Sequence, residues 1–191
     1  KVAIVGAGSV GSKVAEMLVR SGIDSMRIFD GDVFLPGNLE RHVLDWRDVG
    51  YHKVHGLKRR LEHIVPGANI TTVDENLNWQ KSARTNAAQF DLVTGCDIIV
   101  DASGDPATSM LLGALAFENQ KPFVSVEVFE GGIGALVAPS VPDRNAAYTL
   151  GREALLNWTD ERGRVPLSTG GRDYEAIGND GEIIVADDAA I

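Results

Sequence analysis

Gly6-Ala-Gly-Ser-Val-Gly11 lies between the apolar run Val2-Ala-Ile-Val5 and a stripe formed by Val10, Val14, Met17 and Leu18. The run reads as a buried strand, and the stripe, recurring every three or four residues, as one face of a helix. Three glycines at this spacing permit a tight turn, a close approach of backbone to a phosphate, and close packing of helix on strand. The segment therefore predicts strand, turn and helix, ending in a helix N-terminus whose free N–H groups and dipole favour an anion. A glycine turn kept for packing alone is the competing reading.

The alternation continues along the chain. Gly22 closes the first helix, and residues 26–29 form a second apolar run that ends at Asp30. Val54, Leu57, Leu61 and Ile64 make a helical stripe before Pro66-Gly67, and residues 70–73 read as a strand. Residues 98–100, flanked by Asp97 and Asp101, are continuously apolar, as in a strand covered on both faces of a parallel sheet. Asp105-Pro106 opens a helix carrying Met110, Leu111, Leu115 and Phe117, and residues 123–129 and 134–138 supply two more strands around Gly131-Gly132. Strands alternating with helices predict a doubly wound α/β fold, with a mostly parallel sheet and helices on both faces. Residues 141–191 hold ten carboxylates against five arginines and show weak apolar periodicity, so the expected domain is 1–138 with an irregular C-terminal appendage, 139–191. The chain opens directly on its first strand, and Asp187-Asp188-Ala-Ala-Ile191 reads as a cap and a helix cut short. Both features suggest a domain excised from a longer protein.

Charge narrows the partners. Eighteen basic residues against 27 acidic ones give −9, which disfavours nucleic acid and anionic lipid. Nowhere do roughly 18 to 20 apolar residues run uninterrupted, as a membrane helix needs, so a cytoplasmic protein is expected. Cys96 stands alone, which excludes an intrachain disulfide and a multi-cysteine zinc site; beside the strand at 98–100 it reads as a buried packing group. Residues 38–63 nevertheless form a basic island, with Arg41, Arg47, Lys53, Lys58, Arg59, Arg60 and all four histidines. Lys58, Arg59 and Arg60 read as a solvated helix face, and His42, His52, His55 and His63 as surface histidines near an anion site rather than a metal cluster. Asp30 follows Gly11 by 19 residues at a strand end, where a carboxylate accepts both hydroxyls of a ribose. NAD, FAD and ATP fit that arrangement equally well.

The stretch Asp30-Gly-Asp-Val-Phe-Leu-Pro-Gly-Asn-Leu-Glu-Arg-His, continuing to Asp48-Val-Gly-Tyr-His-Lys53, resembles the nucleotide-binding domain of the ThiF/MoeB/HesA family, which includes ubiquitin-activating enzymes. Asn38 stands eight residues after Asp30, as the family pattern asks, and the likeness covers residues 1–138 through Asp97-Ile-Ile-Val-Asp-Ala-Ser and Lys121-Pro-Phe-Val-Ser-Val-Glu. The resemblance implies a Rossmann-like fold that binds ATP and Mg2+. It implies adenylation of the C-terminal carboxylate of a ubiquitin-like or sulfur-carrier protein with a Gly-Gly tail, carried out by a homodimer. Carried over by position, Gly6, Gly8, Ser9 and Gly11 cradle the nucleotide with Asp30 and Asp32, Asp30 on the ribose. Asn38, Arg41 and Lys53 hold the phosphates, and Asn76 and Leu77 sit in the adenine-contacting loop. Arg41, Lys53 and Asp105 form the catalytic set. Asp105 is the expected metal ligand with Asp101 in reserve, because Asp101-Ala-Ser-Gly-Asp105 carries one residue more than the family's usual D-x-T-D-N. Either aspartate could instead be structural, Asp105 as the cap before Pro106. His42 replaces the family's more usual Gln, and the cysteine that many members carry after the sixth strand is missing here. Two alternatives stay open: an NAD- or FAD-dependent oxidoreductase domain, and a non-catalytic partner subunit.

Overall fold

A computed structural model describes residues 1–77, 83–129, 134–144, 146–162, 175–177, 180 and 183–185. In chain order the elements are β1 (Val2–Val5), α1 (Ser9–Arg20), β2 (Ser25–Phe29), α2 (Lys53–Ile64), β3 (Asn69–Val73), α3 (Ala83–Thr94), β4 (Ile98–Asp101), α4 (Pro106–Glu118), β5 (Phe123–Phe129), β6 (Gly134–Ser140) and α5 (Tyr148–Glu161). Two short strands, β7 (Glu175–Ile177) and β8 (Ile183–Val185), pair antiparallel with each other. The main sheet runs β3-β2-β1-β4-β5-β6, with β1 to β5 parallel and β6 antiparallel to β5.

Period-two alternation along β1 divides the core. Val2 and Ile4 pack with Ala15 and Val19 of α1 and with Val54, Leu57 and Leu61 of α2. Ala3 and Val5 belong to the opposite layer, with Val93 of α3, Leu112 and Ala116 of α4, and Phe123. Cys96 is fully buried in this second layer, as expected. Strand order reverses between β1 and β4, which opens a crevice at the carboxyl ends of the parallel strands. The glycine turn leaves β1 at that crevice, and the Ala102–Asp105 connection leaves β4 beside it. No helix among the described residues is long and apolar enough to cross a membrane.

Two helices depart from the sequence expectation. α3 lies within the stretch between 73 and 98, where no helix is expected; its buried residues include Gln89 and Val93, and a stripe containing glutamine gives little apolar signal. After residue 138 the chain is not wholly irregular, since β6 runs on to Ser140 and α5 packs on α4. Tyr148 lies so close to Gly113 that a Cβ there would come within 2.6 Å of its ring, and it meets Phe123 edge-on at 5.0 Å. α5 escapes sequence reading because its buried positions are Tyr148, Arg152 and Thr159, a polar stripe. Gly131-Gly132 and the expected cap at Asp187-Asp188 lie outside the described residues.

Candidate nucleotide-binding site

The turn after β1 is built from backbone. The Gly6 N–H donates to the Phe29 carbonyl at 2.8 Å, and the Ala102 N–H donates to the Val5 carbonyl at 2.7 Å. Gly6 takes a φ of +91°, and a Cβ there would lie 2.5 Å from the Ala102 oxygen. Gly11 faces the turn rather than the crevice, since its Cβ would fall 1.9 Å from the Gly6 oxygen. Gly8 is different: nothing lies within 4 Å of where its Cβ would be. The three glycines thus divide among turn, open approach and helix packing as the motif predicts. Gly8 caps α1 without any side-chain hydrogen bond, and the N-terminus of α1 opens beside the crevice.

Two adjoining concavities occupy the crevice, of about 160 and 370 Å³, and both are bordered by Gly6, Asp30, Asp32 and Ser103. Gly8, Ser9, Asn38, Arg41, His42 and Lys53 line the smaller one. Glu75, Asn76, Leu77, Asp105 and Thr108 line the larger, together with Val5 and Phe29. Every residue expected at the site therefore borders this space except Gly11 and Asp101. A still larger concavity of about 570 Å³ lies elsewhere, between residues 44–51 and α2. Arg47, Arg59 and Arg60 line it, each already paired with a carboxylate, of Asp45, Asp48 and Glu16 respectively. Arg59 and Arg60 are thus held in ion pairs rather than lying on a purely solvated face. The groups able to do chemistry sit in the smaller spaces.

Opposite charges are set at fixed positions there. Asp30 is almost buried; its Oδ2 accepts from the Ala7 N–H at 2.7 Å and its Oδ1 from the Asp32 N–H at 2.8 Å. Burial pushes its carboxyl up from the ordinary value, against the pull of the Lys53 ammonium and these two N–H donors. A carboxylate offers about four acceptor sites, so Asp30 can still take a ribose hydroxyl. Lys53 opens α2, is nearly buried, and donates to Asp32 Oδ2 at 2.8 Å, while Asp32 stays 59% exposed. Asn38 Oδ1 accepts from the Leu35 N–H at 3.0 Å, so this side chain also shapes its own loop. Asn76 Oδ1 accepts from the Gly31 N–H at 2.8 Å, tying the 75–77 loop to the turn after β2.

The reserve metal position requires correction. Asp101 is fully buried, accepts hydrogen bonds from Ser103, Ser109 and Ser125, and faces the interior. Asp105 is exposed at the larger cavity, yet its Oδ2 caps α4 through the Thr108 N–H at 3.0 Å and hydroxyl at 2.6 Å. Both roles foreseen for Asp105 are therefore compatible, because a cap uses one oxygen. Magnesium commonly takes one or two protein carboxylates and fills its shell with waters and phosphates, a demand that Asp105 fits and Asp101 does not.

The sequence expectation left out Ser103 and took His42 only for a surface histidine near an anion site. His42 is largely buried, with one ring nitrogen 2.6 Å from the Ala7 carbonyl and the other accepting from the Leu44 N–H at 3.1 Å. Burial lowers its pKa to about 4. It is not a surface histidine, and the signal that could have found it is its place directly after Arg41. Ser103 borders both cavities while its hydroxyl serves Asp101.

Fold and site together define a doubly wound α/β protein with its concavities at the switch point of the sheet, where folds of this class bind nucleotides. The ThiF family signature matches residues 1–162, and the chain belongs to that family. The match reaches past residue 138 to the end of α5, further than the sequence likeness suggested. An ATP-dependent ubiquitin transferase-like protein Cap2 from Enterobacter hormaechei is 35% identical over 127 residues, covering 66% of this chain and 20% of that protein. An adenylyltransferase and sulfurtransferase UBA4 from Debaryomyces hansenii is 31% identical over 126 residues, covering 65% and 27% respectively. Among solved structures, E. coli MccB with ATP superposes with a TM-score of 0.65 at 25% identity, over 78% of this chain and 42% of that one. The chain spans only about a fifth to two fifths of the length of these relatives.

Proposed function

We propose that this chain is the adenylation domain of a longer enzyme. It couples the C-terminal carboxylate of a ubiquitin-like or sulfur-carrier protein, ending in Gly-Gly, to AMP. The observation that carries the reading is the convergence of Asn38, Arg41 and Lys53 with the glycine turn on one concavity that also contains Asp30. A site for NAD has less need of two cations there, because backbone N–H groups at a helix N-terminus already serve a pyrophosphate.

In the proposed reaction a carboxylate oxygen attacks the α-phosphorus of ATP. A new P–O bond forms, the bond from that phosphorus to the bridging oxygen breaks, and pyrophosphate leaves with the electron pair. No proton needs to move. The difficulty is electrostatic, since an anion must approach a polyanion while charge builds on the leaving group. Lys53 is nearly buried, where its charge is weakly screened, and it begins α2, so its position is fixed before substrate arrives. Arg41 lies across the same cavity, on a loop tied to α1 by the Ser9 hydroxyl, which donates to the Arg41 carbonyl at 2.6 Å. Asp30 takes the ribose, and the 75–77 loop borders the adenine. Asp105 would hold magnesium, which supplies further positive charge beside the phosphates. A homodimer working in the cytoplasm is part of the same proposal, on family resemblance.

Pyrophosphate exchange tests it: the chain is mixed with ATP, magnesium, labelled pyrophosphate and small proteins ending in Gly-Gly, and label should enter ATP only when a tail is present. Tight binding of NAD or FAD with no binding of ATP would overturn the reading. ATP binding without exchange for any tail would favour the partner-subunit alternative.

A further inference from the structure

The peptide between Ala7 and Gly8 is gripped on one side only. Its carbonyl, on Ala7, lies 2.6 Å from His42 Nε2. Its N–H, on Gly8, meets no acceptor among the described residues, and Gly8 borders the smaller cavity. Carbonyl and N–H point in opposite directions across a planar trans peptide, so whatever fixes the carbonyl aims the N–H.

The tautomer of His42 follows from its neighbours. Nδ1 accepts from the Leu44 N–H at 3.1 Å, so it carries no proton, and Nε2–H donates to the Ala7 carbonyl. Phe34, fully buried, holds the ring edge-on at 4.9 Å. Lys53, Asp48 and Lys13 act on the imidazole electrostatically, but burial dominates and keeps it neutral. Directly before His42 stands Arg41, whose carbonyl accepts from the Ser9 hydroxyl at 2.6 Å. The loop bearing the cation is thereby joined to the glycine turn at two adjacent points.

We propose that His42 is a positioning residue that turns the Ala7–Gly8 peptide toward the phosphates and couples it to the Arg41 loop, so that a backbone donor and a guanidinium address the same group. The inference rests on the adenylation reading for its purpose, but it can be tested by binding alone. In His42→Ala the peptide is free to turn, and ATP affinity falls by at least about tenfold, while adenosine, which has no phosphate, binds as before. His42→Gln keeps a side-chain N–H donor of similar reach and restores ATP affinity to within about threefold of the parent. Calorimetric titration of the chain with ATP and with adenosine reads both effects. Equal loss for the two ligands, or a Gln variant no better than Ala, overturns the proposal. If the Ala variant does not fold, nitrogen NMR of the imidazole in the unaltered chain decides. A neutral Nε2–H ring that does not titrate between pH 7 and 5.5 is required, and an Nδ1–H ring, or one titrating near 6.5, refutes the assignment. Absence of pyrophosphate exchange alongside the expected ATP and adenosine results would sink the reaction and leave the role of His42 standing.

Discussion

Alanine at Gly8 and at Gly11 is the same chemical change three residues apart in one motif, and the structure separates the outcomes. At Gly11 a Cβ would lie 1.9 Å from the Gly6 oxygen and 2.9 Å from the Gly6 carbonyl carbon. Both are backbone atoms of a turn already fixed against Ala102, so relief requires α1 to move away from β1. Overpacking of this kind costs about 3 kcal/mol or more, which for a chain of this size lowers Tm by about 6–12 °C. At Gly8 the Cβ meets nothing within 4 Å, and its φ of −76° suits alanine. Gly8→Ala should therefore keep its Tm within about 3 °C of the parent, since a cap change of this kind is worth about 1 kcal/mol or less. The new methyl group stands at the edge of the smaller cavity, where backbone must approach phosphate, and ATP affinity falls at least about tenfold. Thermal melts followed by circular dichroism read the first quantity, and ATP titration calorimetry reads the second. A Gly8→Ala protein that binds ATP like the parent would refute the assignment of this turn to phosphate. A Gly11→Ala protein with an unchanged Tm would refute the packing argument.

Lys53→Ala removes a charged donor worth about 1.5–3 kcal/mol, so pyrophosphate exchange should slow by roughly 10- to 150-fold. Its Tm should move only a few degrees, because the abandoned partner Asp32 is 59% exposed; a full-rate variant counts against a phosphate role. Asp105→Asn preserves the helix cap and removes the charge, so melting should be unchanged while the magnesium concentration for half-maximal exchange rises; an unchanged requirement excludes Asp105 as a ligand. His42, held at about 4 in the folded chain against about 6.5 unfolded, binds its proton first in the unfolded state. Its contribution is complete above pH 6.5 and drains away as pH falls toward 4, by at most about 1.4 kcal/mol per unit. Urea midpoints at pH 7 and 5 should diverge more in the parent than in His42→Gln, and equal shifts would contradict the burial of the ring.

The parallel core and the cradle were legible because their residues repeat with a single period. β1, β2 and β4 are short apolar runs, α1 and α2 carry regular stripes, and Gly6 and Gly11 occupy positions only glycine fits. α3 and α5 were not legible, since each faces inward with polar groups. Arg152, almost fully buried, pairs with Glu127 of β5 and also donates to the Tyr148 hydroxyl at 3.0 Å, and this makes a buried arginine tolerable. Such pairing is invisible to hydropathy, because the partners lie on separate elements. For a like reason Asp101 had to be kept in reserve beside Asp105: which aspartate looks into the crevice depends on where Ser109 and Ser125 fall across the sheet. His42 belongs to the same class, a residue whose meaning lies in contacts 35 residues away.

Under the proposed function, a chain carrying −9 gains little from its net charge in attracting ATP, so the site would have to work by local arrangement. We propose that Lys53 and Asp32 supply that arrangement. Before ligand arrives, an almost unpaired buried ammonium would be costly, and Asp32 relieves that cost at 2.8 Å. Asp32 is also the more exposed of the pair, so a phosphate oxygen can take its place on the ammonium while the carboxylate returns to water. Asp30 cannot yield in that way, being buried and held by two backbone N–H groups. One carboxylate is thus exchangeable and the other fixed, which is the division required if the first is to surrender a cation to the phosphates and the second is to hold the ribose still. An Asp32→Asn protein, lacking the competing charge, should bind ATP at least as tightly as the parent, and weaker binding would show that Asp32 itself contacts the nucleotide.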